Sequence, residues 1–318
     1  MTLENYWQGL LLLKETIANT SEEVRFCFIN FGDKCEVYIN RLPVPNPKSS
    51  LVLVVVDTEA DIQHHQATAF YLDNTILVLD YVYELDEETI DFLATYMPYC
   101  FLPLQAKLRK RAVAITHFAQ SLDGKIATND GDSKWIGNED NLIHAHRMRA
   151  LCSGILIGSH TLNYDHPSLT VRLVEGSNPR RVVLCSTESD FSSLQSDSDN
   201  PVLVIGSGDD PCLENTEYVQ LSADKNGKIA CSDILSLLFK KGLYTVYVEG
   251  GSATTSSFLA QKAIDVLQLH IAPLIFGSGL DSFTLPEIAS VDEAVQFDRF
   301  YFKPIGDTFM FVGEMHHD

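Results

Sequence analysis

Basic residues are scarce in this chain. Its 318 residues carry 23 Lys and Arg against 43 Asp and Glu, a formal net charge of −20. Binding a nucleic acid or an anionic membrane surface requires basic groups that displace counterions, so neither is an expected partner. An anionic small molecule would have to be held by a few arginines against the surrounding field, which makes each arginine worth following. Paired cysteines are lacking too. The seven cysteines, at positions 27, 35, 100, 152, 185, 212 and 231, show no Cys-x-x-Cys spacing. Their odd number argues against a closed disulfide framework, and reduced, mostly buried thiols in a cytoplasmic protein are expected.

No apolar run reaches the length of a membrane span. The most apolar stretch near the N-terminus, Gly9-Leu10-Leu11-Leu12-Leu13, stops at Lys14 and Glu15 and lacks the basic flank of a signal peptide. It reads as one face of an amphipathic helix. A Walker phosphate loop and a Gly-x-Ser-x-Gly nucleophile elbow are both missing. His144 and His146 are two apart on an expected helix and point to different sides. The adjacent pairs His64-His65 and His316-His317 have no Cys or acidic ligand at standard spacing, so no metal is expected.

What is present divides into two patterns. At roughly 100–200 residues per domain, the length predicts two domains. Residues 3–18 read as a helix, and residues 24–30 and 36–40 as short strands around the turn Gly32-Asp33-Lys34. Residues 41–50 hold three prolines and read as a loop, residues 51–57 and 75–81 as strands, and residues 86–96 as a helix with an acidic start. This is a small α+β domain, residues 1–106. The run Lys107-Leu108-Arg109-Lys110-Arg111 reads as a solvated linker and opens a second domain, residues 107–318.

In the second domain strands alternate with helices. Strands are expected at residues 112–118, 154–158, 181–185, 202–206, 245–249 and 266–272, and helices at 139–151, 232–241 and 254–262. Two late runs, 294–302 and 308–313, suggest an antiparallel hairpin at a sheet edge. The expected fold is α/β, with a mostly parallel sheet and an antiparallel edge. The polar segment 186–199 reads as a surface loop.

Ligands of such sheets sit where strands end and helices begin. Three junctions stand out. In Val248-Glu249-Gly250-Gly251-Ser252-Ala253-Thr254-Thr255 a strand runs through two glycines into a helix start, which suits a phosphate and is also plain turn chemistry. Glu249 reads either as a salt-bridge partner or as a substrate contact. In the segment from Gly158 to Arg172, Thr161 and Asp165 share a helix face, and Arg172 can grip a phosphate in bidentate fashion or make a surface salt bridge. In Ala119-Gln120-Ser121-Leu122-Asp123-Gly124-Lys125-Ile126-Ala127 an Asp-Gly turn follows the first strand, with Ser133-Lys134-Trp135-Ile136-Gly137 soon after. Trp135 can wall an aromatic-base pocket or simply pack. Gly277-Ser278-Gly279 is turn-like and a candidate to line a cofactor groove.

Taken in order, residues 119–127, 133–136, Arg149, Thr161 to Arg172, Glu249-Gly250-Gly251 and Ile271-Ala272-Pro273 through Gly277 resemble the reductase domain of riboflavin biosynthesis, which is related in fold to dihydrofolate reductase. The resemblance covers about residues 111–315. It implies NADPH-dependent reduction of the ribosylamino group of a 5-amino-6-ribosylamino-pyrimidine 5′-phosphate to ribitylamino, on either the diamino or the deaminated pyrimidine. It implies Glu249 as the catalytic residue, and Ser133, Trp135, Arg149, Leu169 and Arg172 as substrate contacts. Thr161, Asp165, Ser186, Gly250 and Gly251 would contact the cofactor. A homodimer is implied as well.

Three departures qualify the resemblance. His117 stands where many bacterial relatives carry Lys. No Arg lies near Cys185-Ser186-Thr187-Glu188 for the 2′-phosphate of NADPH, which leaves NADH as an alternative. Residues 1–105 contain neither the His-x-Glu nor the Pro-Cys-x-x-Cys motif of the zinc deaminase often fused to this domain, so no deaminase is expected there. That segment is open as a regulatory, dimerising or channelling module. A reductase of the same fold acting on a pterin or a specialised nucleoside-like metabolite, and a non-catalytic nucleotide-binding scaffold, are the competing readings.

Overall fold

The computed structural model describes residues 2–31, 34–41, 43, 50–56, 68–72, 75–81, 85–134, 136–185, 189–194 and 200–315. The turn at Gly32-Asp33, most of the loop 41–50, both adjacent histidine pairs, Trp135 and Ser186 lie outside them. The chain forms two compact units, Met1–Leu108 and Arg109–Asp318.

The first unit opens with helix α1 (Leu3–Asn19). Its apolar residues recur at helical spacing, so Tyr6, Leu10, Leu13 and Ile17 are buried on one side together with Trp7. Strands β1 (Phe26–Asn30), β2 (Glu36–Ile39), β3 (Ser50–Val56), β4 (Thr68–Leu72) and β5 (Thr75–Tyr81) form an antiparallel sheet in the order β2-β1-β3-β5-β4. Helix α2 (Glu87–Tyr96) starts where expected because Asp86 caps it, accepting from the Thr89 amide at 2.7 Å. A buried 3₁₀ turn, Met97–Phe101, leads into α3 (Leu102–Arg109).

The basic run is not a solvated linker. Lys107 donates from Nζ to the carbonyls of Ile17, Ala18 and Thr20 at 3.2, 2.8 and 2.7 Å, closing the carboxyl end of α1. In the second unit Arg109 and Arg111 converge on the buried carboxylate of Asp265, at 2.5 and 2.7 Å. The same carboxylate accepts the Ala114 amide at 2.7 Å. These cations are spent on specific acceptors, which a run of charge alone does not reveal.

The second unit contains β6 (Val113–Gln120), β7 (Lys125–Ala127), α4 (Glu139–Leu151), β8 (Gly154–Gly158), α5 (Ser159–Asp165), β9 (Arg180–Cys185), β10 (Val202–Gly206), β11 (Thr216–Gln220), α6 (Cys231–Lys240), β12 (Thr245–Val248), α7 (Ser252–Ala260), β13 (Val266–Ile271), β14 (Leu280–Asp281), β15 (Phe297–Ile305) and β16 (Thr308–Met315). Nine strands form one sheet in the order β11-β10-β9-β8-β12-β6-β13-β16-β15. The first seven are parallel to their neighbours, and the hairpin β15–β16 pairs antiparallel at one edge. The fold is therefore α/β with an antiparallel edge, as the alternation of strand and helix patterns predicts.

Apolar strands buried on both faces hold the core. Leu156, Val182, Leu203, Ile205, Val246 and Val248 meet Ile234, Leu235 and Leu238 of α6 and Phe258 and Leu259 of α7. Each such side chain contributes about 1.5–3 kcal/mol on burial. With these helices fixed, the carboxyl ends of β8, β9, β10 and β12 open side by side.

Candidate active site

A cleft of about 1440 Å³ lies at those carboxyl ends. It exceeds the roughly 300–1,000 Å³ of ordinary small-molecule pockets. Two strand-to-helix turns form its floor. The β8 turn leads into α5, and the β12 turn, Glu249-Gly250-Gly251, leads into α7 with Gly251 as its N-cap. The turns are tied together: the Gly251 amide donates to Thr161 Oγ1 at 3.0 Å. A side chain at position 250 is excluded, because its Cβ would lie 2.5 Å from Thr254 Cβ. The positive end of α7 therefore faces the cleft through Ser252, Ala253 and Thr254, the arrangement that favours a phosphate.

The opposite wall is the segment after β7. Tyr164 Oη donates to the Asp130 carbonyl at 2.6 Å. Gly131 turns there with φ of 84°, and a Cβ on it would fall 2.0 Å from the same hydroxyl. Ser133, Thr161, Asp165 and Gly251 all line the cleft. Asp165 ends α5 on the exposed rim, where partial burial raises its carboxyl pKa against the opposing pull of His160 and His166. Lys228 is the sole Lys or Arg among the described lining residues, set against Asp130, Asp165, Asp209 and Asp281.

Beside the β12 turn, Arg149 and Glu249 form a two-pronged ion pair. Nε and Nη2 of Arg149 donate to Oε1 and Oε2 of Glu249, both at 2.7 Å, and Nη1 donates to the Thr170 carbonyl at 3.1 Å. Arg149 comes from the last turn of α4, where a cation suits the helix dipole. Burial works to lower its pKa, but the Glu249 charge and hydrogen bonds outweigh burial and raise it.

Next to the pair, the Arg172 amide donates to His146 Nδ1 at 3.1 Å, and its Nη1 reaches Ser168 Oγ at 3.4 Å. Burial, then the charges of Arg149 and Arg172, push His146 down to about 4. The imidazole is thus a neutral spacer between two arginines. Leu169 is buried with φ of 54°, and so bends the chain that presents Arg172.

The structure brings Arg149, Arg172 and Glu249 into one cluster. It brings Thr161, Asp165, Ser133 and Gly251 into the cleft, with Gly250 as the covalent link between the two groups. Trp135 and Ser186 lie outside the described residues. One expectation shifts: the Arg149 fork faces Glu249 and Thr170, which leaves Arg172 as the exposed cation of the cluster.

Sequence reasoning missed several supports. Asp123 accepts the amides of Phe276 and Gly277 at 3.1 and 2.7 Å and bonds Ser121 Oγ at 2.6 Å. These bonds, led by that from Ser121, hold its carboxyl down at about 2. They pin the Gly277–Gly279 turn beside the cleft, a link that no local spacing could show. His146 was read only as a failed metal ligand. His117 is buried, close enough to Arg149 to feel its charge.

Residues 112–301 match the family described as the RibD C-terminal domain. The riboflavin biosynthesis protein RibD of Bacillus amyloliquefaciens is 30% identical over 204 residues, covering 62% of this chain and 51% of that protein. The chain thus spans about half the length of that relative. The 2,5-diamino-6-ribosylamino-4(3H)-pyrimidinone 5′-phosphate reductase of Methanothermobacter thermautotrophicus is 32% identical over 200 residues, covering 61% of this chain and 92% of that enzyme. Among solved structures, the diaminohydroxyphosphoribosylaminopyrimidine deaminase/5-amino-6-(5-phosphoribosylamino)uracil reductase of Thermotoga maritima superposes with a TM-score of 0.56 at 29% identity, covering 72% of this chain and 62% of that one. Acinetobacter baumannii RibD shares the fold at a TM-score of 0.62 and 17% identity, over 98% of this chain and 99% of that one.

Proposed function

This chain belongs to the RibD C-terminal domain family through residues 112–301, and from that premise we propose that it reduces the ribosylamino group of a 5-amino-6-ribosylamino-pyrimidine 5′-phosphate to ribitylamino with a nicotinamide dinucleotide. The observation that carries the reading is the continuity of the β12 turn. Glu249, gripped by Arg149, is followed directly by the glycines whose amide is fixed on Thr161 in the cleft. A group bound in the cleft and one bound at Glu249 are therefore neighbours.

When bound, the dinucleotide would supply the hydride for C1′ of the ring-opened imine, whose nitrogen takes up a proton. The chain's own residues position the partners, which is the main requirement of such a transfer. Thr161, Asp165, Gly250 and Gly251, with Ser186, would hold the dinucleotide, and the start of α7 offers free amides suited to a phosphate. Arg172 holds the substrate phosphate. Arg149 fixes Glu249, which orients the sugar hydroxyls and serves proton movement at the reacting amine. Leu169 shapes the loop around the phosphate, and Ser133 and Trp135 meet the pyrimidine.

The cofactor is NADPH in this reading. The single lining lysine and the four aspartates weaken discrimination for its 2′-phosphate, so NADH is the accepted alternative. No described helix is long and apolar enough to cross a membrane, which fits a cytoplasmic biosynthetic enzyme. A homodimer fits the exposed aromatic stripe of Phe300, Phe302 and Phe309 on one face of the edge hairpin.

The test is turnover. Purified protein is mixed with NADPH or NADH and either the diamino or the deaminated ribosylamino-pyrimidine phosphate, and loss of nicotinamide absorbance is followed. No oxidation with either substrate rejects the reading. His117, where the resemblance to many bacterial members implies Lys, is the departure that favours a second one, reduction of a pterin or a nucleoside-like metabolite. A substrate screen under the same assay separates the two, and nicotinamide binding without any turnover would indicate a scaffold.

A further inference from the structure

Beneath α4, the second unit buries three imidazoles in one layer. His117 comes from β6, His270 from β13 and His144 from α4. His117 pairs in register with Gln268, so His270 lies two residues further along the adjacent strand on the same face. The ring centroids are 5.1 Å apart for His117–His270, 5.4 Å for His117–His144 and 5.7 Å for His144–His270. One candidate ligand nitrogen from each ring lies within 4.8 Å of the others. All three residues are at most 6% exposed.

Burial of this kind calls for polar partners. Yet both ring nitrogens of His270 have no hydrogen-bond partner among the described residues, and His117, beside the Asn141 side chain, leaves Nε2 without a bond of normal geometry. Each such orphan costs about 1–3 kcal/mol. A metal ion that accepts one nitrogen lone pair from each ring would remove part of that cost, leaving one N–H of His270 without an acceptor.

We propose that His117, His144 and His270 bind one divalent transition-metal ion of the zinc class in the core of the second unit. The donor set is three imidazoles with no carboxylate, which suits zinc, cobalt or nickel and not magnesium or calcium. Tetrahedral Zn–N bonds of about 2.0–2.1 Å need donor atoms roughly 3.4 Å apart, so the rings close inward by about 1 Å on binding. Gln268 Oε1 sits 3.1 Å from His144 Nε2 and fixes that ring, the role of an outer-shell partner.

Glu249 neutralises the nearby Arg149, so that arginine does not oppose a cation in the layer. The ion would tie α4 to the sheet and thereby steady the Arg149–Glu249 pair.

The site is tested by expressing the untagged full chain in minimal medium with cobalt or zinc, dialysing it and measuring metal content. One ion per chain is expected, with the intense visible bands of tetrahedral cobalt and a melting temperature about 5 °C or more above metal-free protein. His117→Asn and His144→Gln should each lose the ion and the bands. The control His316→Asn/His317→Asn should keep both. X-ray absorption at the zinc edge of the unaltered protein should count three imidazoles, which settles the matter should the variants fail to fold. Protein that retains no ion after dialysis, an absorption spectrum with fewer than three imidazoles, or variants that bind as well as the parent would overturn the proposal.

Discussion

Glu249 receives both prongs of the Arg149 guanidinium at 2.7 Å, across a sequence separation of 100 residues. The pair joins the end of α4 to the end of β12 at the point where the chain turns into the cleft. A carboxylate held this way is fixed in direction.

Glu249→Gln keeps the size of the side chain and removes its charge. If Glu249 serves proton movement, kcat should fall by about 10²-fold or more, with little change in nicotinamide affinity. Stability should drop by up to about 3 kcal/mol, because Arg149 loses its counter-charge. Steady-state kinetics together with urea unfolding check this. Unchanged kcat would assign the pair to structure alone.

Thr161→Val removes the hydroxyl that accepts the Gly251 amide but keeps the side-chain shape. The β12 turn then loses its tie to α5. KM for the nicotinamide substrate should rise about tenfold, and stability should fall by about 1 kcal/mol. A rise in KM for the pyrimidine alone would contradict the assignment of this turn to the dinucleotide.

Much of the fold was legible because its strongest signals are local. The runs in β8 and β10 are apolar throughout, as strands covered on both faces must be, and their ends are as expected. Helix α4 likewise begins and ends where its capping residues predict. β11 was missed because Thr216-Glu217-Tyr218-Val219-Gln220 is an edge strand, half exposed along its length, and carries no apolar run. The 3₁₀ turn Met97–Phe101 was missed because its burial follows packing and not periodicity. The site was legible as separate residues. Its pairing was not, since Arg149 with Glu249, and His117 with His270, meet only through the crossover order of β6, β12 and β13.

Cofactor preference offers a third test. Lys228 is the single described lining cation against four aspartates. The ratio of kcat/KM for NADPH over NADH should be below about tenfold, and Lys228→Ala should depress NADPH use more than NADH use, by about 1 kcal/mol in transition-state terms. Equal loss with both cofactors would place Lys228 away from the 2′-phosphate.

Buried thiols, Cys27, Cys100 and Cys231 among them, predict the alkaline limb of stability. Burial raises Cys27 to about 12 and Cys231 to about 11, from an ordinary value of 9.0. The folded state therefore holds protons that the unfolded chain releases above about pH 9. The contribution is fully present below 9 and is lost as pH rises toward 11 to 12, at about 1.4 kcal/mol per pH unit for each thiol. Urea midpoints of the parent and of Cys27→Ala at pH 8 and 10 measure this. The slope should be shallower in the variant, and equal slopes would show that the thiol is not protected.

The edge hairpin carries the last prediction. Phe300, Phe302 and Phe309 are exposed on one face of β15 and β16, with Phe300 and Phe302 more than 60% so. Among the described strands, β15 has no neighbour on its outer side in the sheet order. A bare, aromatic edge strand invites pairing with another chain unless it is covered. A second copy related by two-fold symmetry would cover the stripe on both partners at once. The parent protein should therefore run as a dimer in light scattering after gel filtration. Phe300→Asp/Phe302→Asp should convert it to a monomer while the circular dichroism spectrum of the sheet is kept. A parent that is monomeric at micromolar concentration would mean that this stripe serves some other surface.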